Sequence, residues 1–160
     1  LGSRARILKG LRPDPARLAV WRGRCARMAE ALSDNAAAVR RGDYDRFLAT
    51  LFAPRAARES LFALYAFNLE IAKVRETVSE PLLGRIRLQW WREALDDIEA
   101  GKVREHPVAR ALARLAGPAA PAPVSRAHFD RLLDAREFDL EGRPPATLSE
   151  LEAYAEGTAS

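Results

Sequence analysis

Cysteine occurs once in this chain, at Cys25, and histidine twice, at His106 and His128. A lone thiol excludes an internal disulfide and any Cys-based zinc site, and it fits a reducing compartment. The two histidines lie on either side of a Pro/Ala segment, residues 117–125, and neither has a second His, Cys or carboxylate at metal-ligand spacing. There is no Gly-rich phosphate loop, no G-x-S-x-G and no C-x-x-C. No stretch approaches the roughly 20 apolar residues of a membrane span, so a soluble chain is expected. Aromatics are scarce at 8%, which leaves Ala, Leu and Arg to dominate. Those are strong helix formers, and the expectation is all-α. With 160 residues, 48% of them hydrophobic, the chain can bury one core as one domain.

Positive charge is plentiful but unevenly placed. The pI is about 9.7, yet residues 1–32 alone hold eight basic groups (Arg4, Arg6, Lys9 and Arg12 among them) against Asp14 and Glu30. That segment nets +6, so with +4 for the whole chain the remainder carries −2. The basic character therefore belongs to an N-terminal arm and not to the fold. Such an Arg/Ala-rich, acid-poor arm resembles an organelle transit sequence. It also reads as a solvated amphipathic helix or tail, or as a surface for peripheral membrane contact. No nucleic-acid partner is expected.

Helical periodicity organises the chain. Residues 15–33 place Leu18, Trp21, Cys25, Met28 and Leu32 on one apolar stripe. Gly42-Asp43 breaks the chain, and Asp43 is suited to cap a short helix over 44–52. Pro54 opens a helix expected to run to about Ser79, where Pro81 denies continuation. A further helix over 82–100 stops at Gly101, and Pro107 starts a short one after "REHPV". The segment 117–125 is a flexible linker, Ser125 is suited to cap 126–141, and "LSELEAYAEGTAS" begins a last helix. That helix meets no stop signal before Ser160, so the core is expected to continue beyond it. The sum is a bundle, with residues 1–42 as basic arm and first helix and 43–160 as the main body.

Carboxylates are the residues most open to a chemical reading. A metal site for diphosphate on a helix bundle needs acids three or four residues apart, projecting from one face. Glu93 with Asp97, and Glu76 with Glu80, have that spacing. The first pair stands beside Arg92, Asp96 and Glu99, where a salt-bridged surface face is the plainer reading. The second alternates with Lys73 and Arg75, which leaves the local field near neutral.

Read in order, "LFAPRAARESLFALYAF", a charged helix end, "WWREALDDIEAG", "HPVARAL", "LLDAREFDLE" and "LEAYAEGTAS" resemble the squalene/phytoene synthase family from about Tyr44 to Ser160. The resemblance implies the N-terminal half of an isoprenoid (terpenoid) synthase-like all-α bundle around a cavity. Active members join two prenyl diphosphates head to head, with Mg²⁺ held by two Asp-rich motifs. The first motif, D-D-x-x-D, falls here on Ala72, Lys73 and Glu76, and the family's preceding Arg falls on Leu69. Arg58, Tyr65 and Tyr154 match positions that face the substrate cavity. Lys73 in place of a carboxylate is suited to meet a diphosphate directly, as a point charge.

Asn68, Glu70, Ala72, Val74, Ser79 and Glu80 are similar to a non-synthase branch of that family, typified by a mitochondrial assembly factor for respiratory complex I and α-proteobacterial relatives. The resemblance thus implies a non-catalytic protein acting in binding or respiratory-complex assembly. Arg58, Tyr65, Lys73, Glu76 and Tyr154 would then contact a prenyl diphosphate or lipid-like ligand, with a respiratory-complex subunit as protein partner. No catalytic residue, metal ligand or cofactor is assigned on this reading. The alternative is an active prenyl transferase, for which Mg²⁺ would be required. The expected location is the bacterial cytoplasm, or the mitochondrion in a eukaryote, at the periphery of the inner membrane.

Overall fold

The computed structural model describes residues 32–159, and the helix expected over 15–33 lies outside that range apart from its last two positions. Capping chemistry sets the first boundaries. Ser33 accepts the Ala36 N–H at 3.1 Å and opens α1 (Asp34–Gly42), a helix not among those expected from the sequence, which ends at the Gly42-Asp43 break. Asp43 then closes α1 and starts α2 (Tyr44–Leu51) by accepting the Arg46 N–H at 3.0 Å, as expected of it. Pro54 stands one position before the helix start, with extended ψ of 138°, and α3 (Arg55–Ala72) follows it.

The long helix ends sooner than Pro81 alone would require. It breaks at Lys73, resumes for one turn as α4 (Val74–Thr77) and stops at the extended Val78. The Thr77 hydroxyl donates to the Lys73 and Val74 carbonyls at 2.9 and 3.2 Å, so it competes for acceptors that a continuing helix would use. Pro81 is the first residue of α5 (Pro81–Glu99), where its missing N–H costs nothing. Gly101 adopts φ +75°, a left-handed turn that suits glycine, and lets Lys102 N–H reach the Asp97 carbonyl at 2.7 Å.

His106 caps α6 (Pro107–Ala116) in an extended conformation. Residues 117–125 form a loop, held to α6 by the Val124 N–H donating to the Leu115 carbonyl at 3.0 Å. Ser125 occupies the cap position of α7 (Arg126–Asp139), but its side chain makes no capping bond there. In α8 (Leu148–Ala159), Thr147 Oγ1 accepts Glu150 N–H at 3.1 Å while the Glu150 carboxylate accepts Ala146 N–H at 2.7 Å.

Among the described residues every regular element is a helix. The segment Ser33–Ser160 forms one compact unit, with α3 at its centre, touching α1, α2, α6 and α7. Phe67 on α3 is fully buried. Its ring meets Trp91 of α5 edge-on at 5.2 Å and Phe129 of α7 at 5.5 Å, so one side chain joins three helices. Of the adjacent tryptophans, Trp91 is deep core and Trp90 only half-buried, because successive helical positions point 100° apart.

Candidate functional site

The spacing of Arg58, Tyr65 and Ala72, seven residues apart each time, sets them along one side of α3. Arg58 turns its Nε back to the Ala53 carbonyl at 3.0 Å, which ties the guanidinium to the turn between α2 and α3. Tyr65 is half-buried, with the Arg46 guanidinium 5.4 Å from its ring centre. Lys73, at the end of α3, and Glu76, on α4, are both exposed. Lys73 sits where the helix presents its free carbonyls, so its charge is favourable there without any ligand.

Tyr154 lies in a different set of contacts. Its hydroxyl donates to Asp139 Oδ1 at 2.8 Å, while Arg136 Nη1 donates to Asp139 Oδ2 at 3.2 Å. Arg136 Nη2 reaches on to Asn68 Oδ1 of α3 at 3.3 Å, and Arg75 of α4 donates to the Asp139 carbonyl. Burial, and then the hydrogen bond to Asp139, hold the Tyr154 phenol above its ordinary pKa. Tyr154 is therefore a neutral donor at physiological pH. Arg136 Nε is buried without a partner among the described residues. Asn68, Arg75, Arg136 and Asp139 thus join Tyr154 to the end of α3, and none of the four is a site residue by its sequence pattern. Only Arg136 and Asp139, three apart on α7, left a local signal. Asn68 meets Arg136 across 68 residues, which no spacing rule reaches.

The acids of α5 behave as a salt-bridged face, as expected. Arg104 pairs with Asp97 at 2.6 Å and Glu93 at 3.2 Å, and Arg126 pairs with Asp96 at 2.5 Å. Arg92 holds both Asp134 and Glu137 at 2.9 Å. His106 faces Trp90 and Trp91 edge-on, and His128 is exposed.

Residues 39–160 match the family model described as squalene/phytoene synthase. The chain belongs to the squalene/phytoene synthase family. Similar members are named "NADH dehydrogenase (ubiquinone) complex I, assembly factor 6": those of Bos taurus and Homo sapiens are each 34% identical over 122 residues, 76% of this chain and 36% of theirs. The homologue so named in Drosophila melanogaster is 34% identical over 132 residues, 76% of this chain and 37% of its own. The chain thus spans about a third of the length of the curated relatives it matches. No solved structure matches it.

A squalene/phytoene synthase-type Mg²⁺ cluster can be tested against the donors present. At the positions that the resemblance gives to the first Asp-rich motif stand Ala72, with no ligand atom, Lys73, a cation, and Glu76, a single carboxylate. Among the described residues no group of three or more His, Cys, Asp or Glu side chains is placed to hold a metal ion. This donor set does not fit the family's metal, because a divalent ion on a bundle needs several converging oxygens and no ammonium beside them. What remains at this end of the molecule is a polar surface with Lys73, Arg75 and Glu76, backed by the Tyr154–Asp139–Arg136–Asn68 chain. Among the described residues, no helix is long and apolar enough to cross a membrane.

Proposed function

We propose that this chain is part of a squalene/phytoene synthase-family protein that acts in respiratory complex I assembly without performing prenyl transfer. The observation that carries the reading is Ala72 and Lys73 at the first Asp-rich motif, in a chain whose similar relatives are named as complex I assembly factors. A departing diphosphate develops negative charge that bridging metal ions must meet, and this electrostatic stabilisation does most to lower the barrier to ionisation. One carboxylate beside an ammonium cannot supply that. On this reading residues 43–160 are the N-terminal half of the family's domain. Arg58, Tyr65, Lys73, Glu76 and Tyr154 line the surface that meets a lipid-like or prenyl diphosphate ligand, held by direct charge and not by metal. The protein works on the matrix or cytoplasmic side of the energy-converting membrane, beside its respiratory-complex partner.

The experiment is depletion of the full-length protein in its own cell, followed by native electrophoresis and NADH:ubiquinone oxidoreductase assay. Assembled complex I should fall at least severalfold while the other respiratory complexes persist. Release of pyrophosphate from farnesyl or geranylgeranyl diphosphate by the full-length protein with Mg²⁺, lost in Tyr154→Phe, would overturn the reading.

A further inference from the structure

Helix α2 buries one side and leaves the other without a partner among the described residues. Phe47 and Thr50 face inward, and the Phe47 ring stacks on Phe62 of α3 at 5.6 Å. On the outer side Tyr44, Leu48 and Leu51 follow one another at helical spacing, and Phe52 ends the row at the helix cap. They are 56%, 39%, 40% and 91% exposed, in that order. Phe52 thus stands almost wholly in solvent, in the turn that leads to α3. A contiguous row of large apolar side chains, two of them aromatic, marks a contact surface and not a solvated face.

Cations stand at both ends of this row. At the Tyr44 end are Arg40 and Arg41, in the last turn of α1, with the Arg40 guanidinium 5.9 Å from the Phe47 ring centre. At the Phe52 end are Arg55, the first residue of α3, and Arg58, whose Nε donates to the Ala53 carbonyl at 3.0 Å. None of these four has a carboxylate partner among the described residues, whereas Arg46 has Asp43 at 3.3 Å. Counted in full, residues 40–59 hold five arginines against Asp43, Asp45 and Glu59, a net +2. The arm that leads into α1 carries +6, while the chain from Ser60 onward carries −3. Positive charge and the exposed apolar row therefore fall in the same stretch of the chain.

That combination selects what covers the row. Apolar side chains flanked by arginine are the make-up of an element that lies in a lipid interface. The aliphatic groups enter the acyl boundary, aromatic rings settle at headgroup level, and long cationic side chains reach out to lipid phosphates. Each cation near a negatively charged leaflet adds attraction, and the net negative remainder of the chain is repelled by the same field. A short apolar row binds a bilayer weakly by itself, and a basic segment supplies the second signal that holds it there.

We infer that the outer face of α2, with the Phe52 turn, is the surface through which the protein lies on an anionic lipid bilayer. Leu48, Leu51 and Phe52 enter the acyl boundary, and Arg40, Arg41, Arg55 and Arg58 meet lipid phosphates. The inference goes beyond the assembly reading and does not depend on it, since it concerns lipid and no protein partner.

The test uses the full-length protein and vesicles of phosphatidylcholine, alone or mixed with phosphatidylglycerol. Co-flotation should be roughly tenfold stronger on the mixed vesicles and should weaken as salt is added. Leu51→Ser with Phe52→Ser should lower binding to mixed vesicles roughly tenfold, and Arg41→Gln with Arg55→Gln should do the same. Helical circular dichroism should be unchanged in both variants, because all four side chains are exposed. In Phe52→Trp, the emission added over the parent protein should shift to the blue on mixed vesicles and be quenched by brominated lipid. Leu148→Trp, in the acidic part of the chain, should show neither change. Binding indifferent to the Leu51 and Phe52 changes would leave the basic arm as the sole contact and overturn the inference, as would equal binding to neutral vesicles. Phe52→Trp emission that is already that of a buried indole without lipid would show the row covered within the protein, and would overturn it as well.

Discussion

Asp139 takes a phenol on one carboxylate oxygen and a guanidinium on the other, and its carbonyl receives a second guanidinium from Arg75. A charged acceptor of this kind strengthens the bond from Tyr154 and resists loss of the phenolic proton. The component of alkaline tyrosine absorption that disappears in Tyr154→Phe should therefore titrate above pH 10, the ordinary value. Because the folded pKa is raised, the phenol's contribution to stability is complete below pH 10 and fades as pH climbs through the raised value. Asp139→Asn should bring the Tyr154 titration part of the way back toward 10, and not fully, since burial is the larger cause. Difference absorbance at alkaline pH checks both outcomes; a full return in Asp139→Asn would show that the hydrogen bond and not burial dominates. The motif around Tyr154 makes it an expected site residue, whereas the bond between Arg136 and Asn68 has no such announcement in the sequence. A contact across 68 residues is a product of packing, and no local pattern encodes it.

At the scale of elements, the cap residues were readable and the helix ends less so. Asp43 and Pro107 act where the sequence placed them, because capping and ring geometry are local. Ser125 holds its position without its bond, and α3 breaks at Lys73 where no proline or glycine announces it. Helix contact adds a constraint of its own at Gly84. A Cβ built there would stand 2.6 Å from Cδ2 of Leu140, which caps α7 and is itself buried. Alanine would gain about 1 kcal/mol in helix propensity but overpack the α5–α7 contact by about 1–3 kcal/mol. Gly84→Ala is expected to destabilise by about 1 kcal/mol net, and Leu140→Val in the same chain should recover part of the loss. Urea unfolding of the single and double variants measures this. A gain from Gly84→Ala alone would show that Leu140 swings aside freely.

Across the whole molecule, the centre of the bundle is the contact of Phe67 with Trp91 and Phe129. Phe67→Ala removes the ring from three helices at once and should cost about 3–5 kcal/mol, with an unchanged denaturant slope. By comparison the ion pairs of α5 with α7 and with Arg104 are partly exposed and contribute little each. A shift in the unfolding midpoint for Phe67→Ala no larger than that of a surface substitution would contradict this placement of the core. The sequence by itself determined the all-α class and the family, because periodicity, capping and residue identity are local properties. Only the tertiary structure decided that Tyr154 is bound to the end of α3 through Asp139 and Arg136. It alone also decided that Leu82, Leu83 and Ile86 of α5 stand exposed while Leu88 and Trp91 are buried. Both depend on which helix faces come together in space, and long-range packing sets that where sequence spacing does not.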